Sequence, residues 1–386
     1  MKKIAVITST RAEYGLLSPV IKELRKNETS EFKVDLIVTG THLSHDYGYT
    51  ANEILEDNNR IDYKIIIPVK SDSEYDISSD QAETLLKFTS HFIKERYSAI
   101  VILGDRYEML AIAIAAGNTN TPIFHLCGGD TTEGAKDEWI RHSITKMSYL
   151  HFVTNETSRK RVIQLGEDPA RVFNYGSTSI DNIQKYSEIT KKDALDSIKM
   201  QNCNYALCTY HPVTLENKSV EESIKEFLNA IAAFPTLQFI VTKSNADQGG
   251  AQINLLLEEA TKTIPNLHVY SSLGIKRYLS LMKYCEFVLG NSSSGIIEAP
   301  SFHIPTINIG NRQQGRFQSD SIINCDSDAS SIATAIQKAI SSEFRDICNK
   351  AVSPYGNGNS ARQIADKIIE FITKKSIDLK KSFYNI

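Results

Sequence analysis

The sequence predicts an α/β protein made of two successive halves, each a parallel sheet covered by helices. Three observations carry that prediction. Short β-branched runs alternate with helical patterns along most of the 386 residues, as expected where each strand is joined to the next by a covering helix. The alternation pauses at a polar stretch after Gly176 and starts again at Tyr205. The length also exceeds what a single hydrophobic core usually supports.

In the first half, strands are expected at 4–8, 32–38, 64–67, 99–103, 122–126, 150–153 and 172–175. Ser18-Pro19 reads as a helix start with proline in the first turn, and further helices are expected at 80–96, 107–116, 138–146 and 156–165. The stretch 181–200 is rich in Lys, Asp and Ser and reads as the connection between domains. The second series has strands at 205–209, 238–241, 267–270, 287–289 and 306–309, with helices at 220–233, 251–262, 275–283 and 332–340. A final helix at 360–373 has no strand after it and is expected to cross back onto the first domain. The basic, aromatic-tipped tail beyond it is expected to be frayed or used in a subunit contact. The expected division is therefore 1–180, 181–358, and a returning helix and tail at 359–386.

Lys plus Arg (43) nearly balance Asp plus Glu (46), so the net charge of -3 supplies no long-range field for nucleic acid or an anionic membrane. Any bound anion must be held by local groups. Six scattered cysteines without a C-x-x-C pair argue against a disulfide framework or zinc site. The N-terminal apolar run is too short for a signal-peptide core, and a cytoplasmic protein is expected.

In open α/β sheets ligands gather beyond the carboxyl ends of the strands, so polar residues there carry the most functional weight. The first strand ends in Thr8-Ser9-Thr10-Arg11, which is not the glycine fingerprint of a nicotinamide enzyme. Arg11 reads equally as a structural group or a phosphate ligand. Gly104-Asp105-Arg106 places a carboxylate beside a cation, although a lone Asp there is more often a helix cap. His125-Leu126-Cys127-Gly128-Gly129-Asp130 follows the next strand, its paired glycines implying a close backbone approach. Glu133, Asp137, Glu138, Arg141 and His142 then crowd around one helix start. In the second half, His211-Pro212 holds an imidazole at a strand end, and Asn245 could meet a ribose or base edge. Gly290-Asn291-Ser292-Ser293-Ser294-Gly295 opens a helix with free N–H groups and hydroxyls, a ready phosphate site. Glu298 could accept two ribose hydroxyls, and Gly310–Arg316 adds guanidinium forks for a diphosphate.

Through these segments, with 140–146 and Tyr210-His211-Pro212, the chain resembles the UDP-N-acetylglucosamine 2-epimerase family from Lys3 to about Glu370. It is most similar to the hydrolysing branch, which makes N-acetylmannosamine for sialic acid or acts on UDP-diacetylbacillosamine for legionaminic acid. The resemblance implies two Rossmann-like domains facing across a cleft, a GT-B-like arrangement shared with one large class of glycosyltransferases. It implies that Asp105, Asp137 and His211 are catalytic and that Arg11, Asn245, Ser292, Ser293, Glu298 and Arg316 bind UDP. Arg106, His125 and His142 are further substrate-binding candidates. The resemblance carries one departure: Cys127 stands where the hydrolysing members often carry Glu. Asp130, Glu133 or Glu138 would then take that acid/base task, or the substrate differs.

The activity implied converts a UDP-sugar and water into UDP and a C2-inverted sugar. No metal or cofactor is expected, nor any nucleic-acid or membrane partner, and a homodimer or homotetramer is expected. The competing readings are a glycosyltransferase, a non-hydrolysing epimerase and a silent nucleotide-sugar sensor, and the intact Asp105 and Asp137 argue against the last.

Overall fold

The computed structural model describes residues 1–70, 73–132, 136–186, 189–213, 219–244, 249–374 and 377–386. The chain forms two compact units, the first from Met1–Asp130, Asp137–Asn182 and Tyr355–Ile386, and the second chiefly from Ile183–Pro354. Among the described residues no helix is long and apolar enough to cross a membrane.

The first unit runs β1 (Lys2–Thr8), α1 (Arg11–Lys26), β2 (Phe32–Val38), α2 (Ala51–Glu56), β3 (Tyr63–Lys64), α3 (Glu74–Glu95), β4 (Ala99–Leu103), α4 (Tyr107–Asn118), β5 (Ile123–Leu126), α5 (Asp137–Met147), β6 (Leu150–Val153), α6 (Glu156–Gln164), β7 (Val172–Asn174) and the first part of α7 (Thr178–Tyr186), whose last residues belong to the second unit. Its strands pair in parallel in the order β3-β2-β1-β4-β5-β6-β7. Alternate residues of the central strands feed two cores. Ile4, Val6, Val101 and Leu103 pack on one face, whereas Ala5, Ile7, Ile100 and Ile102 pack on the other. Burial on both sides is why these strands read as unbroken apolar runs.

The second unit continues through α8 (Lys191–Asp196), β8 (Tyr205–Thr209), α9 (Val220–Ala232), β9 (Gln238–Thr242), α10 (Gly250–Ala260), β10 (Leu267–Tyr270), α11 (Gly274–Tyr284), β11 (Val288–Gly290), α12 (Ser293–Ile297), β12 (Thr306–Ile309), β13 (Ile322–Cys325), α13 (Ala329–Ala339) and α14 (Ser342–Lys350). Its sheet is also parallel, ordered β10-β9-β8-β11-β12-β13. Both sheets therefore reverse direction once, between β1 and β4 and between β8 and β11. The last helix, α15 (Ser360–Lys374), returns to the first unit, where Ala361, Ile364, Ile368 and Phe371 complete the core beside α1.

Four expectations need correction. Helix α1 starts at Arg11 rather than at Ser18, with Pro19 inside it. The start is set by a capping box, in which Thr10 Oγ1 accepts from Glu13 N and Glu13 Oε2 accepts from Thr10 N. An interior proline removes the donor to the carbonyl four residues back. Here that carbonyl, Gly15 O, accepts instead from Asn182 Nδ2 at 2.6 Å. The stretch at 181–200 is not a mere connector. Asp181 caps α15 through Ser360 N and Ala361 N, and Ala194, Leu195 and Ile198 are buried in the second unit's core.

The tail is docked rather than frayed. Lys381 Nζ donates to Lys146 O, Ser148 O and both oxygens of the buried Glu167 carboxylate. Tyr384 N bonds Gly166 O, and Phe383 packs so closely on Gly166 that a β-carbon there would lie 2.4 Å from the ring. Finally, β13 and α14 have no counterpart among the expected elements; both are short, with only a few buried positions to mark them.

Candidate functional site

The two sheet reversals are where doubly wound sheets bind ligands, and each gathers a set of polar side chains. In the first unit, β1 ends at Ser9-Thr10-Arg11 and β4 at Gly104-Asp105-Arg106. Arg11 occupies the first position of α1 and is partly exposed.

Asp105 is held by Arg141, which α5 projects from a fully buried position. Arg141 Nη2 and Nε both donate to Asp105 Oδ2, while Nη1 donates to Asp130 O at 2.9 Å and Glu138 Oε2 at 3.0 Å. Burial alone would weaken the Arg141 cation, but the carboxylates of Asp105, Asp130 and Glu138 hold it charged. Asp105 keeps 26 % of its side chain exposed, and its Oδ1 makes no hydrogen bond among the described residues. The result is an oriented, partly exposed carboxylate with one oxygen not engaged by the described residues, the form a general base requires. Glu138 also bonds His142 Nε2 at 3.0 Å, so Arg141, Glu138 and His142 form one chain along α5, which Asp137 begins.

Asp130 and His125 are placed differently from expectation. Asp130 is buried, and its Oδ1 accepts from Thr154 Oγ1 at 2.7 Å and Ser158 Oγ at 2.6 Å. Those bonds tie the loop after β5 to α6. His125 was expected to touch substrate, yet its ring is fully buried, with Nε2 against Gly104 O at 3.0 Å and Nδ1 near Thr145 Oγ1. Desolvation pushes its pKa down to about 3, so the neutral imidazole serves as a strut beneath the Asp105 loop. The close approach implied by Gly128-Gly129 is to the protein itself. Gly129 has a φ of +78°, and a β-carbon on it would lie 2.4 Å from Ser158 O. Cys127, the departure noted above, sits at the end of β5 with a φ of 64° and packs against the core.

Glu133 and Asn245 fall outside the described residues.

In the second unit β8 delivers His211, whose backbone N–H and carbonyl are clasped by the Asn291 amide at 2.7 and 2.8 Å. The His211 ring meets Ser244 Oγ through Nδ1 at 3.1 Å. Asn291 O in turn accepts from Arg312 Nη1 and Gln313 Nε2, which joins the turn after β11 to the turn after β12. Gly290 is irreplaceable in this arrangement, since a β-carbon there would lie 1.9 Å from Thr209 O. Ser292 caps the short α12, Ser293 is its first residue, and Glu298 closes it. Arg316 follows in the Gly310–Arg316 turn with its backbone bonded to Gln313 O. In the first unit Asp105, Glu138 and His142 are thus linked through Arg141, with Arg106 beside Asp105 and Asp137 at the start of α5; in the second, His211 is joined to the turn that leads into Ser292 and Ser293, with Glu298 at the end of α12 and Arg316 in the turn after β12.

Two contributors lie outside the sequence-derived candidates. Arg141 was visible only as one charge in a crowded helix. Tyr278 comes from α11 and binds Ser294 Oγ at 2.5 Å, bracing the serine turn, with nothing in the local sequence to mark it.

The family model for UDP-N-acetylglucosamine 2-epimerase matches residues 22–369. A Campylobacter jejuni protein named GDP/UDP-N,N'-diacetylbacillosamine 2-epimerase (hydrolyzing) is 39% identical over 346 residues, which cover 89% of each chain. The polysialic acid biosynthesis protein P7 of Escherichia coli is 38% identical over 387 residues, covering 100% of this chain and 98% of the relative. Among solved structures, UDP-GlcNAc 2-epimerase from Neisseria meningitidis, bound to UDP-GlcNAc, superposes with a TM-score of 0.80 at 19% identity, covering 96% of this chain and 100% of that one. The last likeness concerns the fold, whereas the family match covers residues 22–369 and the two relatives cover 89% and 100% of the chain. This chain therefore belongs to the UDP-N-acetylglucosamine 2-epimerase family.

Proposed function

We propose that the protein is a hydrolysing 2-epimerase of UDP-linked 2-acetamido sugars, converting UDP-N-acetylglucosamine and water to N-acetylmannosamine and UDP. The observation that carries the reading is Asp105: a partly exposed carboxylate, fixed by a buried arginine, at the reversal point of a parallel sheet.

The C2 proton of the sugar is not acidic in the ground state, so departure of UDP precedes or accompanies its removal. As the C1–O bond breaks, its electron pair passes to the β-phosphate. A carboxylate takes the C2 proton, and the C2–H electrons form the C1=C2 bond of a 2-acetamidoglycal. Water then adds at C1 while a proton reaches C2 from the opposite face, so two acid/base groups are needed. Asp105 and Asp137 are assigned these roles, with Glu138 as the alternate. His211, Ser292, Ser293 and Arg316 are assigned to the diphosphate, where charge grows during departure, and Arg11 is a further phosphate ligand. Glu298 and Asn245 are assigned to the nucleoside, and Arg106 and His142 to the substrate. Sialic acid synthesis would consume the product, in the cytoplasm and by a homo-oligomeric enzyme.

UDP-N,N'-diacetylbacillosamine is the second substrate reading, favoured by the name of the Campylobacter relative. Incubation with each UDP-sugar, followed by NMR of the products, tests both. Free 2-epimerised sugar with UDP is expected. Return of an intact UDP-sugar epimer, or UDP release only when an acceptor is added, would replace this reading with a non-hydrolysing epimerase or a glycosyltransferase.

A further inference from the structure

Beneath the Asp105 loop lies a buried pair of carboxyl groups that the mechanism above does not use. Glu13 comes from the first turn of α1 and Glu108 from the first turn of α4, the two helices that follow β1 and β4 at the sheet reversal. They are 4 % and 2 % exposed. Ser9 Oγ stands between them, 2.9 Å from Glu13 Oε2 and 2.8 Å from Glu108 Oε1. A hydroxyl has one hydrogen to donate, so it serves only one of these oxygens, and two ionised carboxylates would leave the other contact repulsive. Glu13 Oε1 and Glu108 Oε2 are also buried with no hydrogen-bond partner among the described residues.

The cations do not balance two charges. Arg106 Nε donates to Glu108 Oε1 at 2.8 Å, whereas among the described residues Glu13 receives only the backbone N–H groups of Ser9 and Thr10 and the shared hydroxyl. The other charged or titratable groups nearby in the chain are Arg11 and Tyr14 on α1, and Asp105 and Tyr107 on the β4–α4 segment. His42, on the neighbouring turn that packs on Ser9, is kept neutral by burial.

We propose that Glu13 is a positioning residue that works in its protonated form, joined through Ser9 to the Glu108–Arg106 pair so that the ends of β1 and β4 hold Arg11 and Asp105 in register. Loss of its proton places two like charges at the seam between those ends, and the register is lost. Burial, and then the charge of Glu108, push the Glu13 carboxyl up to about 8 from its ordinary 4.5. The folded state therefore holds this proton more tightly than the unfolded chain. Its contribution to stability is complete below 4.5 and drains away as the pH rises to about 8. The part concerning turnover rests on the function proposed above; the part concerning the proton does not.

Glu13→Gln keeps an uncharged acceptor in place and removes the titration. Turnover by the unaltered protein is expected to fall about tenfold per pH unit on the alkaline side, whereas Glu13→Gln stays within about threefold of its own value from about pH 6.5 to about pH 9. Denaturant stability is expected to decline over that range in the unaltered protein and to stay level in the variant. Parallel stability curves overturn the protonated carboxyl. Diverging stability with superimposable turnover profiles overturns the positioning role. Absence of turnover with every UDP-sugar would sink the proposed function and leave the stability curves to decide on the proton. Should Glu13→Gln fail to fold, infrared difference spectra of the unaltered protein decide: a buried carboxylic acid band lost on going to about pH 9.5 supports the proposal, and its absence at about pH 6.5 overturns it.

Discussion

Arg141→Met separates the support of Asp105 from its chemistry. Methionine fills much of the same volume and removes every hydrogen bond the guanidinium makes. The donor to the buried Asp130 carbonyl is lost, which costs about 1–3 kcal/mol. Asp105 and Glu138 also lose their cation, but their side chains are 26 % and 25 % exposed, so water recovers part of their solvation. Their share therefore falls below the roughly 3–5 kcal/mol of breaking a fully buried pair. Removing the desolvated guanidinium itself gives something back. A net loss of about 3 kcal/mol follows, or roughly 6–12 °C in Tm for a unit of this size. Turnover should fall about a hundredfold or more, because Asp105 loses the contacts that fix its free oxygen. Arg141→Lys should lie between, since an ammonium is a point charge and does not span three acceptors as a fork. Urea unfolding followed by circular dichroism, with UDP release measured in parallel, reads both effects. A variant with an unchanged midpoint and turnover within about threefold would refute the assignment of Arg141 as the support of Asp105.

Asp105→Asn and Asp137→Asn should each lower turnover about a hundredfold while UDP binding, measured by calorimetry, changes far less; unchanged turnover in both removes them from the mechanism. Asn182→Ala should cost about 1–3 kcal/mol by stranding the Gly15 carbonyl. In a Pro19→Ala background the helix recovers its own donor, so the same substitution should cost clearly less, and a double-mutant cycle by urea unfolding that shows additivity would contradict this account. At Glu167, burial alone would raise the carboxyl, but bonds from His151, Lys146 and Lys381 prevail and hold it at about 2. That stability is present above 4.5 and lost as pH falls toward about 2. Lys381→Ala should thus destabilise by about 1.5–3 kcal/mol at neutral pH and by much less at about pH 2.5, a convergence that equilibrium unfolding at the two pH values checks.

Much of the fold was legible because its causes are local. Strands such as Ala99–Leu103 and Tyr205–Thr209 are largely apolar runs, while Phe32–Val38 alternates apolar with charged residues at its start, and all three appear at the expected positions. The start of α1 was misread because proline at Ser18-Pro19 is a strong local signal, while the bond that excuses it inside a helix comes from Asn182, far along the chain. The tail was misread for the same reason. A charged, aromatic terminus looks solvated until Glu167, buried between two other elements, is seen to require Lys381.

In the site, strand-end positions marked Asp105, Arg106, His211 and the serine turn from sequence alone, because a parallel sheet sends its ligand-facing residues to known places in the pattern. What each side chain does there is another matter. His125 and Asp130 carry the same chemical promise as Asp105, and only packing separates them: the first two are sealed under neighbouring elements, while Asp105 stays partly exposed.

The order of elements, the two parallel sheets and the family were determined by the sequence itself, since hydrophobic period and strand-end chemistry are written residue by residue. Which carboxyl is exposed, which two are buried against one hydroxyl and which arginine holds the exposed one were decided by tertiary structure alone. Burial and hydrogen-bond partners arise from residues as distant as Ser9 and Glu108, and no short stretch of chain contains both.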